Sequence, residues 1–443
     1  MTFSDLNINK PLLKALAHLT FETPTPIQEK AFPIIMSGKD VVAIAQTGTG
    51  KTFAYLLPIL RQLTFSEQKQ PRVLILVPTR ELVVQVVGEI EKLTNYMNVR
   101  CAGIYGGANI NTQKQTVYNG LDILVSTPGR LNDLILTRSI QLHSIKKLVI
   151  DEVDEMLNLG FRAQLFKLME ALPEKRQNLL FSATLDEDVE RLIANFFVLP
   201  EYVEIIKRGT PLEKIKQSAY YVPNFFTKIN LLEHLLQTDK SMKRVLVFVK
   251  NKKLADALYT ELEPAFKELT GVIHSNKSQP QRFNAIKYFQ DGTHRMLIAT
   301  DIISRGLDIP EVSHVINFDT PNDPNDYIHR IGRTGRADSI GASIAFIAPP
   351  EKEYQKAIEA LMKKKISMQK MPEEVIVNPK LTPDEKPVKK DKNLHKFNKP
   401  IEIKGAAFHE KKIKNKKTPQ VGKRRQERAR RATLAFIRKK GSK

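Results

Sequence analysis

Ala45-Gln46-Thr47-Gly48-Thr49-Gly50-Lys51-Thr52 decides the reading of this chain. The stretch ends an apolar run over 41–45 that reads as a buried strand, and it opens a segment with helical spacing. That is the setting a phosphate-binding loop requires. Glycines let the backbone curl until its N–H groups converge on phosphate oxygens at a helix N-terminus. Thr47, Gly48, Thr49 and Gly50 are thereby expected to cradle the phosphates of a nucleotide, Lys51 to reach the β and γ phosphates, and Thr52 to hold Mg2+. Ala45 occupies the first position, where the general pattern has Gly. A chance glycine-rich turn is the competing explanation, and the intact Gly50-Lys51-Thr52 between strand and helix weighs against it.

Outward from the loop, short apolar runs at 41–45, 73–77, 123–125, 148–150 and 179–181 alternate with helical patterns such as 81–93. Such runs read as parallel strands buried on both faces, and the alternation gives a doubly wound α/β domain. After a charged, weakly patterned segment the alternation restarts at 245–249, 272–274, 296–299, 315–318 and 342–347, a second α/β domain without a phosphate loop. The expected organisation is therefore a nucleotide-binding domain over 1–206, a linker over 207–216, a second domain over 217–370, and a basic, mostly disordered tail over 371–443.

A nucleotide site needs carboxylates to hold the metal and activate water. Asp151-Glu152 follow the apolar strand 148–150, at the carboxyl edge where α/β sheets bind ligands. Asp151 is expected to hold Mg2+ through its water shell, and Glu152 to orient and deprotonate the attacking water. On its own an acidic pair after a strand is more often a solvated turn. The second domain adds Arg330, Arg333 and Arg336 within seven residues, a helix end suited to a γ-phosphate in its transition state.

These residues resemble the DEAD-box RNA helicases, with motifs in order from Phe3 to Arg336, about three quarters of the chain. The resemblance implies two tandem RecA-like domains with parallel sheets, ATP and Mg2+ as cofactors, and RNA as partner. Residues 20–28 look like the family's Q motif. There Phe21 would pack on the adenine and Gln28 would read its edge, while Thr20 stands where Gly is usual. Thr79 and Arg80, Gly106 and Gly107, Thr127 and Arg130 match motifs that grip the RNA backbone, as do Gln279 and Arg282 in the second domain. Thr300, Asp301, Arg305 and Asp308 match a motif serving RNA and ATP together, with Asp301 and Asp308 assigned to the nucleotide. Ser182 and Thr184, with Asp154 and His329, match the groups that couple hydrolysis to domain movement. Arg333 and Arg336 would complete catalysis. The sequence departs from the family at Val153, in Asp151-Glu152-Val153-Asp154 where Ala is usual, at Val83, and at Val249-Lys250. Activity is expected to survive the change at Val153. A DNA helicase of the same superfamily and a non-catalytic RNA clamp are the alternatives. The Q motif with the string from His329 to Arg336 speaks against the first, and intact Lys51, Glu152, Arg333 and Arg336 against the second.

Charge placement adds an independent pointer. Residues 363–443 hold 27 Lys and Arg against 8 Asp and Glu, a net of +19 out of +22 for the whole chain. A nearly neutral body with a basic tail points to a polyanion, and for an intracellular protein nucleic acid is the commonest one. No apolar run of membrane-spanning length is present, the first residues lack the pattern of a secretory signal, and Cys101 is alone. A soluble cytoplasmic protein without disulfides or a cysteine zinc site is expected.

Overall fold

The computed structural model describes residues 1–45, 48–205, 215–301, 312–335 and 341–386. In the first domain β1 (Val41–Ile44), β2 (Val73–Leu76), β3 (Cys101–Ile104), β4 (Ile123–Ser126), β5 (Lys147–Asp151), β6 (Gln177–Ser182) and β7 (Glu201–Glu204) form one sheet. Its order is β3-β4-β2-β5-β6-β1-β7, and every pairing is parallel. Successive strand residues point to opposite faces. Val41, Ala43, Ile75 and Phe181 accordingly enter one core, while Val42, Leu74, Ile150 and Leu180 enter the other. Two apolar faces must both be covered, and helices such as Lys51–Gln62 and Arg80–Leu93 in the crossovers cover them.

The second domain repeats the plan. β8 (Ile215–Tyr221), β9 (Val245–Phe248), β10 (Thr270–Ile273), β11 (Met296–Ala299), β12 (His314–Asn317), β13 (Gly341–Ile347) and β14 (Ser367–Gln369) pair in the order β10-β11-β9-β12-β13-β8-β14, again all parallel. Numbered from the start of each sheet, the two strand orders are the same. No helix among the described residues is long and apolar enough to cross a membrane.

Four strands were not legible as apolar runs. β3 and β7 carry Cys-Ala-Gly-Ile and Glu-Tyr-Val-Glu on the two edges of the first sheet, and β14 is a three-residue exposed edge of the second. β8 is interior but amphipathic: Ile215, Gln217 and Ala219 point inward and polar residues outward. Its start at Ile215 shortens the expected linker 207–216, of which 207–214 lie outside the described residues. The expected tail boundary at 371 also moves. Met371 and Val375 pack into the second core, the Asn378 amide donates to Thr227 Oγ1 at 3.0 Å, and the Phe225 amide donates to Glu385 Oε1 at 2.7 Å. Sparse apolar residues among prolines and lysines leave no periodicity to read, because this segment is held by partners about 150 residues away rather than by its own pattern. The second domain thus reaches Lys386, and the basic residues 387–443 lie outside the described part.

Candidate functional site

β1 delivers the phosphate loop, β5 delivers Asp151 and Glu152, and β6 between them delivers Ser182-Ala183-Thr184, all at strand carboxyl ends. Gly48 and Gly50 have φ of +76° and +87°. A Cβ on Gly50 would stand 2.5 Å from Gln28 Nε2, so only glycine admits the Q motif at this distance. Gln28 Nε2 donates to the Gly50 carbonyl at 3.1 Å, and its Oε1 accepts from the Thr25 amide at 2.9 Å. One N–H and one lone pair remain for the edge of a base. Phe21 stands half-exposed, edge-on to Phe53 with ring centres 5.4 Å apart. The residue before it, Thr20, sits in the left-handed region at φ 60°, where the family's Gly would be unstrained.

A cleft of about 340 Å³ joins these groups, and its lining includes Phe21, Gln28, Lys51, Glu152 and, from the second domain, Arg333. Lys51 Nζ and Glu152 Oε2 are buried there with no hydrogen-bond partner. Glu152 adopts φ 54°, a left-handed conformation that a side chain rarely takes and that is typical of strain kept at a functional site. Burial pushes its carboxyl up to about 7, against the pull of nearby Lys51 and Arg333 and with added repulsion from Asp151 and Glu155. Burial also raises the Asp151 carboxyl, with Lys51 and the Tyr55 hydroxyl pulling the other way. A carboxyl raised by burial beside a buried lysine and an arginine from the opposite domain has the chemistry to accept a proton next to a phosphate.

The domains meet beside this cleft. Asp154 Oδ2 accepts from the Ala183 amide at 3.0 Å, the Thr184 amide at 3.1 Å and Thr184 Oγ1 at 3.2 Å. The next residue, Glu155, meets His329 of the second domain, Oε1 to Nδ1 at 2.5 Å. Burial disfavours the charged imidazole, yet Glu155 more than offsets this and holds the His329 pKa above its ordinary value. Asp154 and Glu155 therefore tie the β6 loop and the second domain to one turn of helix.

The residues expected on RNA divide into two groups. Arg80 lies over the Gly106-Gly107 loop, where a Cβ on Gly107, at φ +81°, would overlap its guanidinium. Arg130 braces the same loop through the Ala108 carbonyl at 3.2 Å and Gln113 at 3.1 Å. Thr79 caps the helix Arg80–Leu93, accepting from the Leu82 amide, and Thr127 is the N-cap residue of Pro128–Leu136. Across the interface Gln279 and Arg282 turn toward the first domain: Arg80 Nη1 donates to Gln279 Oε1 at 3.3 Å, Gln279 Nε2 donates to Glu81 Oε1 at 3.1 Å, and Arg282 pairs with Glu81 at 2.5 Å. Thr300 is buried, and both oxygens of Asp301 are gripped by Arg330 at 2.6 and 2.7 Å. Asp301 and Arg330 thus brace each other inside the second domain, and neither lines the nucleotide cleft. Of Arg330 and Arg333, the described members of the arginine cluster, Arg333 lines that cleft. Thr47, Arg305, Asp308 and Arg336 lie outside the described residues or their described side chains. Val153 and Val83, two of the positions read from the sequence as departing from the family's pattern, are wholly buried in the two cores of the first domain.

Sequence reasoning gave no role to Tyr55, Glu81 or Glu155. Tyr55 lies one turn after Lys51 on the same helix face, a spacing that could have drawn attention to it. Glu81 and Glu155 stand beside motif residues but meet their partners only across the domain interface.

Fold and cleft together define a two-domain nucleotide hydrolase of the phosphate-loop type, with an arginine supplied by the second domain. Residues 25–192 match the DEAD/DEAH box helicase family, and 227–338 match the helicase conserved C-terminal domain. The chain is 38% identical over 372 residues to the DEAD-box ATP-dependent RNA helicase CshA of Bacillus subtilis, covering 84% of this chain and 74% of that one. It belongs to the DEAD-box ATP-dependent RNA helicases, and is an ATP-hydrolysing enzyme of that family. The structure of S. cerevisiae Dbp5 bound to RNA and ADP BeF3 resembles it with a TM-score of 0.74 at 30% identity, over 84% of this chain and 95% of that one. For a Dbp5 variant bound to nup159, a gle1 variant, IP6 and ADP the score is 0.58 at 29% identity, over 83% and 96%.

Proposed function

We infer that the chain hydrolyses ATP in the first-domain cleft and uses the cycle to close and reopen its two domains on one RNA strand, separating short duplexes locally. The observation that carries this reading is the meeting of Gln28, Lys51 and Glu152 with Arg333 of the other domain around one cleft. Phe21 and the free valences of Gln28 take the base. Lys51 and the loop amides take the phosphates, and Glu152 receives the proton of the attacking water. Arg333 neutralises charge that develops on the transferred phosphoryl group only when the domains are together, which makes turnover depend on closure.

Thr52 and Asp151 fit a magnesium ion that shares its ligands with the nucleotide. Both line the cleft, and among the described residues no cluster of three or more His, Cys, Asp or Glu could hold a metal by itself. When bound, Mg2+ would neutralise phosphate charge. The greater likeness to the RNA-bound form of Dbp5 supports reading the present domain arrangement as closed. RNA backbone contacts are assigned to Arg80, the Gly106-Gly107 loop, Arg130, Gln279 and Arg282. Residues 387–443, with 21 Lys and Arg against 4 Asp and Glu, would add affinity that is blind to sequence and steep in salt. A cytoplasmic setting fits a chain with one cysteine. ATPase activity measured with RNA and with DNA of one sequence tests the reading, because contacts to 2′-hydroxyls tell the two apart. RNA should stimulate and DNA should not, and equal stimulation by both would reject it.

A further inference from the structure

Tyr55 is wholly buried, yet it carries a hydroxyl among the apolar side chains of the helix Lys51–Gln62. A buried phenol requires a partner, and here the partner is a group of the nucleotide site. Tyr55 Oη donates to Asp151 Oδ2 at 3.0 Å. The other Asp151 oxygen, Oδ1, accepts from the Glu152 amide at 3.0 Å. The ring itself is fixed edge-on to Phe181 of β6, with centres 5.1 Å apart.

We propose that Tyr55 is a positioning residue that orders the magnesium side of the cleft by directing the carboxylate of Asp151. The inference rests on the nucleotide-site reading above. By passing its hydrogen to Asp151, Tyr55 holds the carboxylate whose second oxygen accepts from the Glu152 amide. The left-handed turn that presents Glu152 is therefore tied, through Asp151, to the helix that begins at Lys51. Oriented second partners of this kind fix the groups that contact a metal, and their loss typically costs about ten- to a hundredfold. The phenol serves without ionising, since burial and the adjacent Asp151 hold its pKa well above the ordinary value.

Tyr55→Phe in the full chain keeps the ring and its contact with Phe181 while removing the hydroxyl. Two measurements decide. At saturating ATP and RNA, kcat should fall about tenfold. The affinity for a fluorescent ADP, titrated with Mg2+ and again in EDTA, should weaken about tenfold with the metal and change less than about twofold without it. An unchanged kcat with an unchanged metal effect overturns the proposal. Equal weakening with and without Mg2+ also overturns it, because the hydroxyl would then only support the phosphate loop. If the unsubstituted chain shows neither RNA-stimulated turnover nor a magnesium effect on ADP, the nucleotide-site reading itself has failed.

Discussion

In the first domain Lys51 opens the helix after the first strand, buried and without a hydrogen-bond partner, while Asp151 ends the fifth strand and Glu152 follows it, both with carboxyls raised by burial. In the second domain Lys228 lies in the first turn of the corresponding helix, Phe225–Thr238, equally buried, but its ammonium meets Asp319 at 3.2 Å and Glu351 at 3.1 Å. Asp319 follows β12, the fifth strand of its sheet, and Glu351 follows β13, the sixth. At the helix N-terminus, where the first domain offers amides to phosphate, the Phe225 amide of the second is taken by the Glu385 carboxylate. One strand order thus serves two ends: an unsatisfied set of charges is a binding site, and a satisfied set is a strut. The difference lies in who supplies the anion, a ligand or the chain itself.

Glu152→Gln and Glu351→Gln should separate the two uses most widely. The first should lower RNA-stimulated turnover about 10³-fold with ATP and RNA binding retained, since it removes a general base but keeps its shape. The second should leave turnover per folded molecule near normal. Steady-state ATPase and equilibrium binding check both, and a comparable loss of turnover in Glu351→Gln would break the comparison.

Lysine removal inverts the pattern. Lys228→Met strands two buried carboxylates and should cost about 3–5 kcal/mol of stability. Lys51→Met should change the melting of the nucleotide-free protein much less, while abolishing ATP binding. Thermal melts of the two variants, with and without nucleotide, give the test.

Glu152 also sets a pH dependence. Its carboxyl, near 7 in the folded chain, binds a proton more tightly there than when unfolded. Its contribution to stability is therefore full below about 4.5 and is lost as pH rises through about 7, on the order of 3 kcal/mol. Glu152→Gln should melt like the unsubstituted chain near pH 5 and above it near pH 8. Parallel melting curves across that range would contradict the assignment.

The smallest effect concerns capping. In the second domain Asn224 caps its helix through the Thr227 amide, whereas in the first Gln28 holds both Thr25 and the phosphate loop. Gln28→Ala should weaken ATP use by about 1–3 kcal/mol and GTP use less, since only adenine gains from the remaining amide valences. Comparing kcat/KM for the two nucleotides reads this directly, and equal losses would reduce Gln28 to a prop for the loop.

Much of the chemistry was written locally. A Gly-rich turn between strand and helix, acids after an apolar run and arginines on a helix end are short-range patterns, and read together they point to a nucleotide site. So are strands buried on both faces, whose apolar runs stand out of the sequence. Amphipathic β8, edge strands β3 and β7, and the clasp of 371–386 were not legible, because their order comes from partners far along the chain. The same holds within the site. That Arg333 enters the cleft while Arg330 braces Asp301, that Glu155 meets His329, and that Tyr55 meets Asp151 was decided only by tertiary structure. A side chain's type is set by sequence. Whether its charge is left open for a ligand or closed by another part of the chain depends on which distant residues packing brings within hydrogen-bond reach, and no local pattern encodes that.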